Sequence, residues 1–125
     1  MSRAQPEFEL ACVVVDYLKR ALPARAVWSH FPAGESRSER TGARLKRMGT
    51  AKGWADYLIF IDGKFLAIEL KAPKGRLSDE QGVFGDAIVA NGGHYTVARS
   101  GDAVEAFLRA CGVDLRATMQ KVAAV

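Results

Sequence analysis

The dipeptide Asp62-Gly63 constrains this chain more than any other feature, because it stands between two apolar runs of strand composition, Asp56–Ile61 and Lys64–Lys71. Asp-Gly readily takes the left-handed conformations of a two-residue hairpin turn. The two runs are therefore expected to pair antiparallel, with Ile61 opposite Lys64. That register sets Phe60 against Phe65, Leu58 against Ala67 and Asp56 against Glu69. Opposed residues share a sheet face, with Cβ atoms about 5 Å apart. Lys71, two residues beyond Glu69, falls on the same face. The other face (Tyr57, Ile59, Ile61, Leu66, Ile68, Leu70) is apolar too, so the hairpin reads as the centre of a sheet covered on both sides.

The flanking sequence supplies the cover. A helix is expected from about Pro6 to Ala21, where Leu10, Val14, Tyr17, Leu18 and Ala21 recur at helical spacing and Pro23 follows the end. Val27–Phe31 reads as a short strand, Pro32–Ser36 as a loop, and Ser38–Met48 as a second helix stopped by Gly49. After the hairpin come a turn (Pro73–Leu77), a helix (Ser78–Ala90) stopped by Asn91-Gly92-Gly93, a strand (His94–Arg99) and a helix (Asp102–Cys111). The tail beyond Gly112 has no clear pattern. A length of 125 residues, 49% hydrophobic and 26% charged, suits one globular domain. No apolar run approaches a membrane span, and Met1–Pro6 lacks the apolar stretch of a secretory signal, so a cytosolic location is expected. Cys12 and Cys111 each sit in an apolar helical pattern and read as buried, reduced thiols. Without a Cys-x-x-Cys, and with His30 and His94 isolated, no zinc site is expected.

The chemistry of the chain concentrates at the open end of the hairpin. Opposed carboxylates repel, and burial sharpens the repulsion. Lys71 would offset one of the charges on Asp56 and Glu69. A divalent cation would offset both, and hard oxygen ligands suit Mg²⁺ or Mn²⁺. A salt-bridged strand end reaching water is the other reading. Glu7 begins the core-facing stripe of the first helix, whereas Glu9 aligns with Asp16 on the wetter side; either acid also simply favours the helix dipole. Ser78–Gln81 fits a capping box. Gln81 also aligns with Phe84 and Ile88 and points inward near the carboxylates, and a single amide is not expected to fill both roles well. Trp28, Phe31 and Trp54 read as core or pocket wall, and His30 as a polar strand end. There is no glycine-rich phosphate loop or nucleophile elbow.

The basic excess is just as localised. Of eighteen basic residues, six (Arg37, Arg40, Arg44, Lys46, Arg47, Lys52) lie between Arg37 and Lys52 with a single acid, Glu39. The rest of the chain is close to neutral. Such a segment suits a polyanion, although a solvated helix face would look the same.

Asp56, then twelve residues, then Glu69-Leu70-Lys71 matches the D…E-x-K pattern of the PD-(D/E)XK nuclease superfamily. Around it stand, in order, Arg44-Leu-Lys-Arg-Met-Gly49, Lys52-Gly53-x-x-Asp56, Ile68-Glu-Leu-Lys-Ala72, Gly75-Arg-Leu-Ser78 and Gln81. Together these segments resemble the VRR-NUC family, in particular its compact, single-domain, phage-type members, over roughly residues 6–111. The family usually carries proline before its aspartate, where this chain has Ala55. The resemblance implies an α/β, restriction-endonuclease-like fold: a mixed sheet flanked by helices on both faces, forming one domain across 1–125. It implies a DNA endonuclease using Mg²⁺ or Mn²⁺, acting on branched DNA such as Holliday junctions, and a homodimer. A flap or nonspecific nuclease and a catalytically idle DNA-binding module are the alternatives. By position, Asp56, Glu69, the Leu70 carbonyl and Glu7 would hold the metal. Lys71 would orient or deprotonate water, Gln81 would support the site, and Arg44, Lys46, Arg47 and Lys52 would contact DNA.

Overall fold

A computed structural model describes residues 6–32 and 38–120. Most of the expected Pro32–Ser36 loop, along with Arg37, lies outside them. The elements run α1 (Pro6–Ala21), β1 (Val27–His30), α2 (Glu39–Arg47), β2 (Tyr57–Ile61), β3 (Lys64–Leu70), α3 (Asp79–Ala90), β4 (His94–Ala98) and α4 (Gly101–Ala110). The strands form one mixed sheet in the order β1-β2-β3-β4. β1–β2 and β2–β3 are antiparallel, while β3–β4 is parallel through the α3 crossover.

The hairpin has the expected register, with Ile61 opposite Lys64, Phe60 opposite Phe65 and Leu58 opposite Ala67. Asp62 (φ 52°) and Gly63 (φ 77°) both take the left-handed conformation. Such a pair is a type I′ turn, whose twist matches that of the strands it joins. Asp62 tolerates the conformation, and its carboxylate accepts two hydrogen bonds from Arg25, at 2.7 and 2.8 Å. The ladder stops at Tyr57–Ile68, one pair before Asp56 would meet Glu69. Asp56 still lies beside the end of β1, its carbonyl accepting from Phe31 N–H at 2.7 Å, but it meets β3 through its carboxylate and not its backbone.

The two faces of the sheet are covered unequally. On one, Ile59, Ile61, Leu66, Ile68 and Leu70 pack with Val14, Tyr17 and Leu18 of α1 and Val104 and Leu108 of α4 in the main core. The tail completes this face: Arg116 N–H donates to the Ala21 carbonyl (2.8 Å), and the Tyr17 hydroxyl donates to that of Ala117 (3.0 Å). On the other, α3 covers only a small cluster of Ala55, Ala67 and Phe84. Phe60 stays 52% exposed there and Val27 68%, so the expected full cover of this face is partial. Gly85 lets α3 approach, since a Cβ at that position would sit 2.5 Å from the Tyr95 ring. Cys111 is buried as expected, but Cys12 is exposed, because it lies off the Val14–Tyr17–Leu18 stripe of α1.

Candidate active site

The polar residues of the hairpin gather where β2 has ended and β3 continues. Leu70 N–H points to the side that β2 vacates and donates to Asp56 Oδ2 at 2.7 Å. The Asp56 side chain thus does for β3 what another strand residue would have done. Since a strand residue's N–H and C=O face the same edge, the Leu70 carbonyl faces that gap as well. On the opposite edge, Lys71 N–H pairs with the Ala98 carbonyl at 3.0 Å.

Glu69 is the one buried charged residue among those described, at 3% exposure. Its Oε2 accepts from Gln81 Nε2 at 2.9 Å and lies 3.3 Å from Lys71 Nζ. Burial, reinforced by the Asp56 charge, pushes the Glu69 carboxyl up to about 7 against the opposing pull of Lys71. Burial raises Asp56 too, against the Leu70 hydrogen bond. A carboxylate pair held above its ordinary range tends to mark a site prepared for a positive ligand or a proton.

Gln81 fills both roles that looked incompatible in the sequence. Its carbonyl oxygen accepts from Ser78 N–H (2.9 Å), its backbone N–H donates to Ser78 Oγ (3.2 Å), and its amide nitrogen remains free for Glu69. An amide has a donor end and an acceptor end, and the start of the helix uses one while the site uses the other. Gly53 (φ 90°) seats the preceding loop on the same turn of α3, where a Cβ would collide with the Glu80 carbonyl. Ala55 is fully buried, so packing rather than a proline ring holds the approach to Asp56.

Glu7 is exposed, and its Oε1 accepts from Ala72 N–H at 3.3 Å, on the loop that leaves β3. With Ala11, His30, Asp56, Tyr57 and Leu70 it lines a cleft of about 50 Å³. Among the described residues no group of three His, Cys, Asp or Glu side chains forms a ready metal cluster. Two carboxylates with a backbone carbonyl facing the same gap are nonetheless a hard-oxygen donor set, chemically suited to Mg²⁺ or Mn²⁺. Arg44, Lys46, Arg47 and Lys52 are all exposed, on α2 and the loop after it. Trp54 stacks between Phe31 (5.4 Å) and Phe84 (5.0 Å) and walls an open cleft beside α3.

His30 is the polar strand end expected of it, and Arg99 gains a place that the sequence did not assign. His30 Nδ1 lies 2.8 Å from the Asp56 carbonyl, which fixes the ring at the lip of the cleft. Arg99 donates to the carbonyls of Ala72 (2.7 Å) and Gly75 (2.8 Å), pinning the loop on which Glu7 rests.

Sheet order, mixed strand sense and polar sheet end together define an α/β, restriction-endonuclease-like fold. No family model and no curated protein matches the sequence. Among solved structures, one described as a VRR_NUC domain protein superposes with a TM-score of 0.67. It is 21% identical, and the match covers 86% of this chain and 92% of that one. The chain therefore shares the fold of that VRR_NUC domain protein, across nearly the whole length of both.

Proposed function

We propose that the chain is a VRR-NUC-type, divalent-metal-dependent DNA endonuclease that acts on branched DNA such as Holliday junctions as a homodimer. The observation that carries this reading is the buried Glu69, held by both Lys71 and Gln81 beside an Asp56 whose carboxylate replaces a strand contact. Four groups so placed make a poor stabilising motif, because buried charge is costly to desolvate. They make a good hydrolytic one. Asp56, Glu69 and the Leu70 carbonyl would hold Mg²⁺ or Mn²⁺, with Glu7 at the edge of the cleft. The metal supplies Lewis-acid polarisation of the phosphoryl oxygen and a lowered pKa for the attacking water. Lys71 sets a fixed positive charge beside the phosphate, where negative charge grows in the transition state, and donates to the water it orients. Gln81 holds Glu69 in one rotamer. Arg44, Lys46, Arg47 and Lys52 take backbone phosphates.

Branched DNA follows from the family resemblance, and the dimer from the need for two symmetric cuts by a domain with one site. The test is cleavage of a four-way junction, a flap and a linear duplex side by side in Mg²⁺ or Mn²⁺, with wild type and Asp56→Asn. Junction cleavage by wild type alone is expected. Equal activity on all three substrates would leave a nonspecific nuclease. Binding without cleavage by wild type would leave an idle DNA-binding module. A gel-filtration mass of one subunit at micromolar concentration would remove the dimer.

A further inference from the structure

α2 differs from the other helices of the structure. None of its nine residues is buried, whereas α1, α3 and α4 each bury two or more. Isolated helices of that length are marginal in water, and most helical stability comes from packing. Gly42 weakens α2 further, since glycine is the poorest ordinary helix former. A Cβ there would meet nothing within 4 Å, so no close contact calls for glycine. Arg40, Arg44 and Arg47 recur on one face, and none joins a salt bridge among the described residues. Like charges at that spacing oppose helix formation.

The local signals nevertheless specify a helix. Ser38 caps its start, accepting from Thr41 N–H at 3.1 Å. At its end Gly49 (φ 100°) turns the chain, and Thr50 N–H returns to the Leu45 carbonyl at 2.9 Å. Start and stop are encoded while the sustaining contact is missing. Duplex DNA would supply it, because phosphates turn the arginine repulsion into attraction and a groove wall could seat the open face.

We propose that α2 is ordered by DNA, wavering between helix and coil in the free protein and completed by the backbone phosphates of a duplex arm. The proposal rests on the nuclease reading for its partner. It gives the basic segment a second task. The loop after α2 is seated on α3 through Gly53, so ordering α2 on DNA places the duplex relative to Asp56.

Gly42→Ala and Gly42→Pro test the coupling in the full chain, in EDTA so that no strand is cut. Amide exchange across 39–48 is expected to be fast in the free protein and to slow on adding a junction. Gly42→Ala should tighten binding by up to about fivefold, the difference in helix propensity. Gly42→Pro removes the N–H that donates to the Ser38 carbonyl and should weaken binding about tenfold or more. Both variants should melt like wild type, since α2 buries nothing in the core. Unchanged affinity in both variants, or amides already protected without DNA, overturns the coupling, as does a wild type that binds no DNA. Failure of the nuclease reading shows separately, as absence of metal-dependent cleavage by a wild type whose α2 still orders on DNA.

Discussion

Glu69 should make the metal-free protein less stable as the pH rises, and Glu69→Gln should remove that dependence. The folded-state carboxyl titrates at about 7, against an ordinary value of 4.5. The native state therefore binds this proton more tightly than the unfolded chain. Its contribution to stability is complete below about pH 4.5 and is lost as the pH climbs through about 7. With about 1.36 kcal/mol per pH unit, the loss from pH 5 to 8 comes to about 2–3 kcal/mol. Urea melts in EDTA at pH 5, 6, 7 and 8 measure it. The amide introduced by Glu69→Gln would keep the shape and the contact with Gln81 but carry no charge in this range. The stability of Glu69→Gln relative to wild type should accordingly rise by that amount between pH 5 and 8. Groups common to both proteins cancel in the difference. Mg²⁺ at pH 8 should stabilise wild type and leave Glu69→Gln unmoved. Parallel pH profiles for the two proteins would refute the account of Glu69 as a buried charge awaiting a partner.

Lys71→Ala should lower cleavage by about 10²-fold or more, the usual effect of removing one preorganised charge from a transition state, while junction affinity changes little. Comparable losses in binding and cleavage would make Lys71 a DNA contact instead. Gln81→Glu keeps the acceptor that caps α3 but adds a third carboxylate to Asp56 and Glu69, so in EDTA it should lose stability at pH 8 and regain it on acidification. Gly85→Ala forces a methyl group into the Tyr95 ring and should cost about 1–3 kcal/mol in urea melts, whereas Gly82→Ala, with nothing within 4 Å, should cost none. Junction binding should weaken steeply with salt, and Arg44→Ala with Arg47→Ala should lower the log–log slope by roughly two.

The local signals were legible where a short stretch of sequence decides the outcome. Asp62-Gly63 gave both the turn and the register of β2 on β3, and the stripe of α1 gave its bounds. The departures arise where a side chain competes with the backbone. Alternation alone carries Asp56 into the strand, but its carboxylate takes the Leu70 N–H and the ladder ends one residue early. Gln81 looked overcommitted because periodicity treats a side chain as a direction, whereas an amide offers two ends with opposite chemistry. Cys12 looked buried because its neighbours are apolar, but the core selects one stripe of α1. The arginine clamp on the 72–75 loop and the His30 contact to Asp56 link residues 24 to 27 positions apart, and no pattern along the chain reports such pairings.

The same geometry explains why a domain this small can tolerate a buried acid at all. Had β2 run two residues further back, the Ala55 carbonyl would have taken the Leu70 N–H and left the Asp56 carboxylate unpaired against Glu69. By ending early, the strand turns one repelling carboxylate into a hydrogen-bond acceptor and leaves the other to Lys71 and Gln81. Three donors thus answer two acids, and the residual cost falls on Glu69. That cost is smaller than an unpaired buried carboxylate would impose, yet large enough to leave the Glu69 proton tightly held near neutral pH. A site that held its carboxylates with more donors would be more stable and would have less reason to take up a cation. On this argument, removing a donor from Glu69 by Lys71→Met should destabilise the metal-free protein at pH 8 and tighten Mg²⁺ binding in the same variant, with calorimetry as the measure. A variant that lost on both counts would show that stability and cation uptake are not opposed at this sheet end.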